Sequence, residues 1–228
     1  MYTNTLTLSN GVQIPQLGLG TWFIDDANAA EAIRAAAKLG YRHFDTAQAY
    51  GNERGVGEGV RTCGVPREEL FVVSKVAAEH KTYEEAKAGI DETLKKMGLE
   101  YLDMMIIHSP QPWVKVNQCE DRYVEGNRAA WRALEDAYKE GKLRAIGVSN
   151  FQIGDLNSLL ETCTVKPMVN QILLHISNTP LELVEFCQSK GIAVEAHSPI
   201  AHGVILHQPE IEAMAQKYGV SVPQLCIR

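Results

Sequence analysis

Four residues whose side chains could act together on a carbonyl group stand at the ends of three consecutive predicted strands. Asp45 and Tyr50 follow an apolar run within the stretch His43–Glu53, Lys75 ends the next apolar run, and His108 ends the one after that. In a barrel of parallel strands, polar residues just past the carboxyl end of a strand enter a cleft built from loops. An acid, a phenol, an amine and an imidazole are therefore predicted to share one cleft.

These four groups suit carbonyl reduction, which needs a hydride on one face and a proton for the oxygen that develops negative charge. We expect Tyr50 to donate the proton, because the ammonium of Lys75 beside it would lower the pKa of the phenol from about 10. Asp45 would hold the ammonium by an ion pair, and His108 would orient and polarise the carbonyl oxygen. A barrel aldolase that forms a Schiff base on Lys75 is an alternative, although Tyr50 and Asp45 fit proton transfer to a hydride acceptor better.

Each of the four residues also has an ordinary structural interpretation when it is taken alone. Asp45 could cap a helix and Tyr50 could be a loop aromatic. Lys75 could be a solvated strand end and His108 a core histidine with its hydrogen bonds satisfied. Four independent coincidences at strand ends would be needed to explain all of them in this way. Their joint occurrence favours a catalytic site.

Composition excludes several other functions. The 228 residues carry a net charge of −6, and no run of Lys and Arg is long enough to bind nucleic acid. The five cysteines are scattered without a CxxC pair, which favours a reducing compartment over a disulfide or zinc framework. The sequence begins without a basic or apolar leader, and no apolar run approaches the length of a membrane span. We expect a cytoplasmic monomer with a small-molecule substrate, no metal, and no nucleic-acid or membrane partner.

Repeated strand–helix units define the predicted fold. An Asn10-Gly11 turn joins two short alternating runs into an N-terminal hairpin, and seven strand–helix units follow. Such units imply a parallel sheet, either a closed (β/α)8 barrel or an open doubly wound sheet. The ligands of an open sheet gather at its switch point, whereas polar candidates here follow six different strands. We therefore predict an α/β protein with a single TIM barrel domain over residues 1–228.

Capping residues predict where several helices begin. The predicted boxes are Thr82 with Glu85, Thr179 with Glu182 around Pro180 as the first helical residue, and Ser221 with Gln224. No eighth strand follows before Arg228, and seven strands would leave two unpaired edges side by side. We therefore expect the eighth strand and the C-terminal tail to lie outside these 228 residues.

The glycine-rich stretch Gly55–Gly59 superficially resembles a nucleotide-binding pattern. Its spacing is G-x-G-x-G rather than G-x-G-x-x-G, and it lies inside a predicted helix instead of directly after a strand. We predict that it does not bind a dinucleotide.

Several stretches together resemble the successive signatures of the aldo-keto reductase family. They are LGYRHFDTAQAYGNE, VVSK, LGLEYLDMMIIH, GKLRAIGVSNF, VNQILLH and AHSPIAHG, and their order and spacing agree from about Leu17 to the last residue. The resemblance implies a (β/α)8 barrel that uses NADPH without a Rossmann domain. It also implies the roles given above for Asp45, Tyr50, Lys75 and His108. The nearest subgroup is that of small bacterial enzymes similar to 2,5-diketo-D-gluconate reductases, which act on aldehydes and dicarbonyls.

The resemblance further implies which residues hold the cofactor and the substrate. The nicotinamide would be held at strand ends and the pyrophosphate by the loop after the seventh strand. The implied cofactor residues are Thr21, Asp45, Ser149, Asn150, Gln171, His197, Ser198, Ile200 and His202. The implied substrate residues are Trp22, Tyr50, His108 and Trp113. Alternatives are helix capping by Ser149, backbone contacts by Gln171, a turn around Pro199, and tryptophans that only cover the barrel rim. Trp131 is predicted to pack in the core.

Three features depart from the family pattern. Ser109 stands where a tryptophan commonly follows the histidine, and His197 stands where a large aromatic residue commonly stacks on the nicotinamide. Because an imidazole offers a smaller π face that can protonate, we expect cofactor binding to be weaker and to vary between pH 6 and 8. The Lys-Ser…Arg segment that grips the adenosine 2′-phosphate in relatives is absent from the 228 residues, so the preference for NADPH comes from the resemblance alone.

A cofactor-binding regulatory barrel, similar to the β subunits of potassium channels, is the alternative function. Such a protein would bind the nucleotide with little turnover. The intact set of four catalytic candidates and the lack of a partner-binding extension favour the enzyme.

Overall fold

The computed structural model describes residues 4–116 and 118–228, and it contains a small hairpin followed by a parallel barrel. The hairpin strands are β1 (Thr5–Thr7) and β2 (Gln13–Pro15). The barrel strands are β3 (Gly18–Gly20), β4 (His43–Asp45), β5 (Phe71–Val76), β6 (Met104–Ile107), β7 (Ile146–Ser149), β8 (Val169–Leu173) and β9 (Ala193–His197). The seven strands pair in sequence order, all parallel, as the strand–helix repeat predicts.

Helices follow the barrel strands and cover the outside of the sheet. They are α1 (Asp26–Leu39), α2 (Glu53–Thr62), α3 (Tyr83–Met97), α4 (Val124–Lys139), α5 (Ile153–Leu160), α6 (Leu181–Ser189), α7 (Pro209–Tyr218) and α8 (Val222–Cys226). In the described part of the chain, none of them is long and apolar enough to span a membrane.

The barrel is nearly closed, and the predicted (β/α)8 architecture is confirmed. In the parts of the chain that the structure describes, β3 and β9 each pair on one side only, with β4 and β8. The seven paired strands bring their carboxyl ends to the same end of the barrel. Asp45 ends β4 and Lys75 lies near the end of β5, while Tyr50 and His108 follow β4 and β6, so the fold places the four residues at neighbouring positions on that end.

Two of the three predicted capping boxes are present. The hydroxyl of Thr82 accepts from the backbone of Glu85 at 3.2 Å, and Ser221 pairs in the same way with Gln224. The box predicted at Thr179 is wrong. Helix α6 begins at Leu181 with Pro180 as its N-cap rather than its first helical residue, and the Thr179 hydroxyl donates to the carbonyl of His175 at 3.4 Å. The Thr179 hydroxyl is therefore hydrogen-bonded within the turn before Pro180 instead of capping the helix.

The Gly55–Gly59 stretch lies on α2, where it lets three helices pack closely. A Cβ atom on Gly57 would lie 2.2 Å from the carbonyl oxygen of Met97 at the end of α3, and one on Gly55 would lie 2.1 Å from the carbonyl of Asp26 on α1. The glycines therefore serve helix packing, as their position inside a helix indicates. Trp131 is buried as predicted, and its indole donates to the carbonyl of Val165 at 3.0 Å.

Candidate active site

The centre of the site is the buried pair of Lys75 and Asp45. Lys75 is only 1% exposed, its amine is ion-paired with the carboxylate of Asp45, and it also donates to the carbonyl of Thr46 at 2.9 Å. Burial disfavours the ammonium, but the charge of Asp45 and then that of Tyr50 outweigh it, so the pKa of Lys75 is raised. The lysine is therefore positively charged at neutral pH inside the barrel.

Tyr50 lies beside this charge, on a single 3-10 turn (Gln48–Tyr50) that follows β4. The amine of Lys75 lies 4.9 Å from the centre of the Tyr50 ring. Burial raises the pKa of the phenol, and this effect outweighs the lowering by Lys75. The expectation of a net lowered pKa is therefore wrong for the protein without ligand, because the phenol loses more solvation than the ammonium restores.

His108 connects Tyr50 to an aromatic wall of the site. Its ring meets Tyr50 edge-on at 5.5 Å between centres and meets Trp113 edge-on at 4.9 Å. Burial, and then the charges of Lys75 and His197, lower the pKa of His108 to about 2, so the imidazole is neutral. Its Nδ1 is buried with no hydrogen-bond partner in the described chain, which fits a site that a ligand completes.

Trp22 extends this set of aromatic rings beyond Tyr50. It lies 6.3 Å from Tyr50 between ring centres and 5.3 Å from His202, and half of its surface is exposed. The predicted substrate residues Trp22, Tyr50, His108 and Trp113 thus form one continuous run of rings around the end of the barrel. An exposed aromatic wall beside polar groups is typical of small-molecule sites.

Amide and hydroxyl groups from the strand ends converge on the same place. Gln171 donates to Asp45 at 3.0 Å, and Ser149 donates to the carbonyl of Gln171 at 2.8 Å. Asn150 donates to the carbonyl of His108 and to the Ser149 hydroxyl, each at 3.0 Å. Thr21 donates to the carbonyl of Asp45 through both its backbone N–H and its hydroxyl. These residues are linked to the Lys75 pair, and their donors suit a carboxamide.

His197 lies in this network too, with its Nε2 3.0 Å from the side-chain oxygen of Asn150 and its Nδ1 3.3 Å from the Ser198 hydroxyl. Burial, and then the charge of Lys75, lower the pKa of His197 to about 4. The imidazole is therefore neutral between pH 6 and 8, and the predicted dependence of cofactor binding on pH in that range is wrong as far as this residue is concerned. The causes are burial and then the charge of Lys75, and neither can be read from the sequence around His197.

The loop after β9 has an unusual backbone. Ser198, Ala201 and His202 all have positive φ, at 54°, 47° and 53°, which is strained for residues with a side chain. Ile200 lies between them and its carbonyl accepts from Gly203 at 2.9 Å. The fold therefore brings the predicted residues of this loop to the end of the barrel, with His202 against Trp22.

Asn52 is a site residue that the sequence reading missed. It is buried, its amide donates to the carbonyls of Thr21 and Ile24 at 2.9 Å each, and its oxygen accepts from the Thr46 hydroxyl at 2.6 Å. It thus ties the loop that carries Trp22 to the segment whose carbonyl holds Lys75. Its position directly before α2, two residues after Tyr50, was the available signal.

Glu195 and His43 were also missed. Glu195 points into the barrel from β9, where burial raises the pKa of its carboxyl, and its Oε1 lies 3.7 Å from Nε2 of His43. Glu195 is paired in register with Gln171, whose side chain donates to Asp45, so Glu195 lies next to the Asp45–Lys75 pair. An alternation of polar residues on β4 and β9 is the signal that could have revealed them.

A parallel barrel that buries an Asp–Lys pair next to a phenol and a neutral imidazole at one end has the organisation of a barrel enzyme. Comparison with known proteins agrees: residues 16–228 match the profile of the aldo/keto reductase family. The chain belongs to the aldo/keto reductase family and is an oxidoreductase. The family typically uses a nicotinamide cofactor.

Characterised relatives and solved structures resemble the chain over nearly its whole length. Glyoxal reductase of Bacillus subtilis strain 168 is 43% identical over 226 residues, which are 99% of this chain and 78% of the relative. Aldehyde reductase YPR1 of Saccharomyces cerevisiae is 38% identical over 248 residues, 98% of this chain and 77% of the relative. The crystal structure of an aldo/keto reductase from Brucella melitensis superposes with a TM-score of 0.90 at 37% identity, covering 99% of this chain and 83% of the other. A Bombyx mori aldo-keto reductase in complex with NADP gives 0.85 at 32% identity, covering 99% and 79%.

Proposed function

We propose that the protein is an NADPH-dependent reductase of aldehydes and dicarbonyls, with Tyr50 as the proton donor. The observation that carries the proposal is the meeting of Tyr50, Lys75 and His108 at one end of the barrel, with the amine 4.9 Å from the centre of the phenol ring and the imidazole 5.5 Å from it. Relatives named glyoxal reductase and aldehyde reductase support the substrate class.

The protonation states of the site suit proton donation to a carbonyl oxygen. The phenol is neutral at physiological pH because burial raises its pKa, so its proton is present when a substrate arrives. Lys75 then stabilises the phenolate that remains after the transfer. His108 is neutral and can hydrogen-bond the carbonyl oxygen, which holds the oxygen near the phenol without competing as a stronger acid.

The donor set on the neighbouring strand ends fits a nicotinamide. Ser149, Asn150 and Gln171 offer a hydroxyl and two amides at one end of the barrel, and His197 offers a neutral π face beside them. When bound, NADPH would supply the hydride that adds to the carbonyl carbon, and the alcohol forms when Tyr50 gives its proton to the oxygen. The choice of NADPH over NADH is supported by the NADP held in the Bombyx mori structure.

The test is to follow the loss of NADPH absorbance with methylglyoxal, glyoxal, diketogluconates and a panel of aldehydes and aldoses, with NADH in parallel. We expect turnover of dicarbonyls and aldehydes, and a loss of roughly 10²- to 10⁴-fold in kcat for Tyr50→Phe, because the general acid is gone. Absence of turnover with every carbonyl despite tight NADPH binding would instead support a cofactor-binding regulatory barrel. Light scattering on the same sample tests the monomeric state that we also propose.

A further inference from the structure

Two loops at the mouth of the barrel are joined by polar contacts that the proposed chemistry does not use. The loop after β5 carries Glu79, whose carboxylate accepts from the backbone N–H of Trp113 at 3.1 Å. The same loop carries Lys81, whose amine donates to the carbonyl of Ser109 at 3.0 Å and to Asn127 at 2.7 Å. Ser109 and Trp113 belong to the next loop, which follows β6.

The second loop depends on these contacts for its position. Asn127, which Lys81 holds, also donates to the carbonyls of Pro110 and Arg122, both at 3.0 Å. Trp113 begins a single 3-10 turn (Trp113–Lys115) that has no side-chain cap from its own preceding residue, Pro112. Instead, the carboxylate of Glu79, on the loop after β5, accepts from the backbone N–H of Trp113 at the start of this turn.

Trp113 needs such support because the barrel itself does not enclose it. It is 40% exposed, and the next residue, Val114, is 73% exposed, so little apolar packing fixes the turn. Its ring nevertheless meets the ring of His108 edge-on, with 4.9 Å between the ring centres. A shift of the Trp113 backbone would therefore change the distance between the Trp113 and His108 rings. His108 is the residue proposed to hydrogen-bond the carbonyl oxygen, so the space beside the substrate would change with it.

We propose that Glu79 and Lys81 are positioning residues that set the distance of the Trp113 wall from His108 and thereby select substrates by the size of the group attached to the carbonyl. The substrate class in this inference rests on the proposed function. The contacts between the two loops are observed independently of that function. Neither residue touches the reacting atoms, so their removal acts on substrate binding rather than on proton transfer.

Kinetics with one small and one large dicarbonyl test the selection by size. For Glu79→Ala we expect KM for phenylglyoxal to rise by roughly two- to tenfold, the equivalent of one lost hydrogen bond, while KM for methylglyoxal and kcat for both change by less than about twofold. Glu79→Gln keeps an acceptor oxygen and should restore the KM. Lys81→Met should act like Glu79→Ala, and Lys81→Arg should retain most of the affinity.

The matched control is Glu84→Ala, which removes an exposed carboxylate from the start of α3, five residues along the chain. It should leave both KM values unchanged. Equal rises of KM for both dicarbonyls, no rise for either, or the same effect in the control would overturn the proposal.

A second measurement does not depend on turnover. In protein labelled with 5-fluorotryptophan, the ¹⁹F resonance of Trp113, assigned from a Trp113→Phe sample, should move or broaden in Glu79→Ala and stay in place in Glu84→Ala. The resonance of buried Trp131 should not change in either variant. An unmoved Trp113 signal in Glu79→Ala would overturn the role of Glu79 even in an active enzyme. If the wild type reduces no carbonyl, the proposed function fails, and this spectrum still decides whether the loops are coupled.

Discussion

The amine of Lys75 lies 4.9 Å from the centre of the Tyr50 ring while the carboxylate of Asp45 pairs with the same amine inside the barrel. One buried positive charge is thus shared between a structural partner and the proposed proton donor. The pair keeps the ammonium charged despite burial, and the ammonium partly offsets the cost of burying the phenol. Changes to any of the three groups should therefore alter both folding and catalysis.

Lys75→Met should destabilise the fold by about 3 to 5 kcal/mol, because it leaves the carboxylate of Asp45 buried without its counter-charge. Gln171 still donates to Asp45, which limits the loss. The double variant Lys75→Met/Asp45→Asn removes both charges and should be more stable than Lys75→Met alone. Urea unfolding of the two single variants and the double variant measures this coupling. A double variant no more stable than Lys75→Met would show that the unpaired carboxylate of Asp45 is not what destabilises Lys75→Met.

Acid should destabilise the protein through its two neutral histidines. The pKa values of His197, about 4, and of His108, about 2, lie below the 6.5 of an unfolded histidine, so the unfolded chain binds more protons at low pH. Their contribution to stability is complete above about pH 6.5. It falls as the pH drops from 6.5 towards 4 for His197, and towards 2 for His108.

Urea unfolding at pH 7 and at pH 5 measures the effect of His197. The difference in unfolding free energy between the two pH values should be smaller in His197→Gln than in the wild type, because glutamine cannot take up the proton. His197 should also not change its charge between pH 6 and 8, so its titration should not alter the affinity for NADPH in that range, measured by fluorescence titration. An equal pH dependence of unfolding in both proteins would contradict the lowered pKa of His197.

Asn52→Ala should cost roughly 2 to 4 kcal/mol, because it leaves the carbonyls of Thr21 and Ile24 and the hydroxyl of Thr46 without their buried partner. The loop that carries Trp22 should loosen as well, which we expect to raise KM. Asn28→Ala, an exposed asparagine on α1, is the matched control and should change stability by less than about 0.5 kcal/mol. Thermal unfolding of both variants provides the comparison, and equal losses in the two would refute the bridging role of Asn52.

The sequence predicted the parts of the site that strand periodicity and residue type determine. The positions of Asp45, Lys75 and His108 follow from apolar runs that end in a polar residue, and the barrel brings such ends together whatever the loops do. The protonation of these groups did not follow, because it depends on burial and on charges that are distant in sequence. Burial, and then the charge of Lys75 from 122 positions away, lower the pKa of His197, and no local pattern records either effect.

The links between loops were equally hidden. Asn52 and Glu79 look like ordinary polar loop residues, and only the fold shows that they hold the segments of Trp22 and Trp113. The capping box at Thr179 failed for a related reason, since a hydroxyl has several nearby acceptors and the turn geometry decides between them.

Gly57→Ala should destabilise the protein strongly, because the added Cβ would lie 2.2 Å from the backbone oxygen of Met97 and would push α2 away from α3. Overpacking of this kind costs about 1 to 3 kcal/mol or more. Gly154→Ala on α5 is the matched control, since nothing lies within 4 Å of its Cβ position, and it should stabilise the helix by up to about 1 kcal/mol. Opposite shifts of Tm are expected, and a Gly57→Ala protein as stable as the wild type would mean that the helices can separate at no cost.

The hydrogen bonds by which Lys81 positions the loop that carries Trp113 should weaken as the pH rises. Burial lowers the pKa of Lys81 to about 8, and the groups whose charges oppose this effect are the carboxylates of Glu79 and Asp155. The ammonium is present below that pKa and is lost above it, so its hydrogen bonds to Ser109 and Asn127 lose their charge assistance between about pH 7 and 9. KM for phenylglyoxal should therefore rise by about two- to threefold over this range in the wild type.

Lys81→Arg keeps its charge and should show no such rise, whereas Lys81→Met should have a high KM at every pH. An identical pH profile in the wild type and Lys81→Arg would show that the titration of another group controls substrate binding.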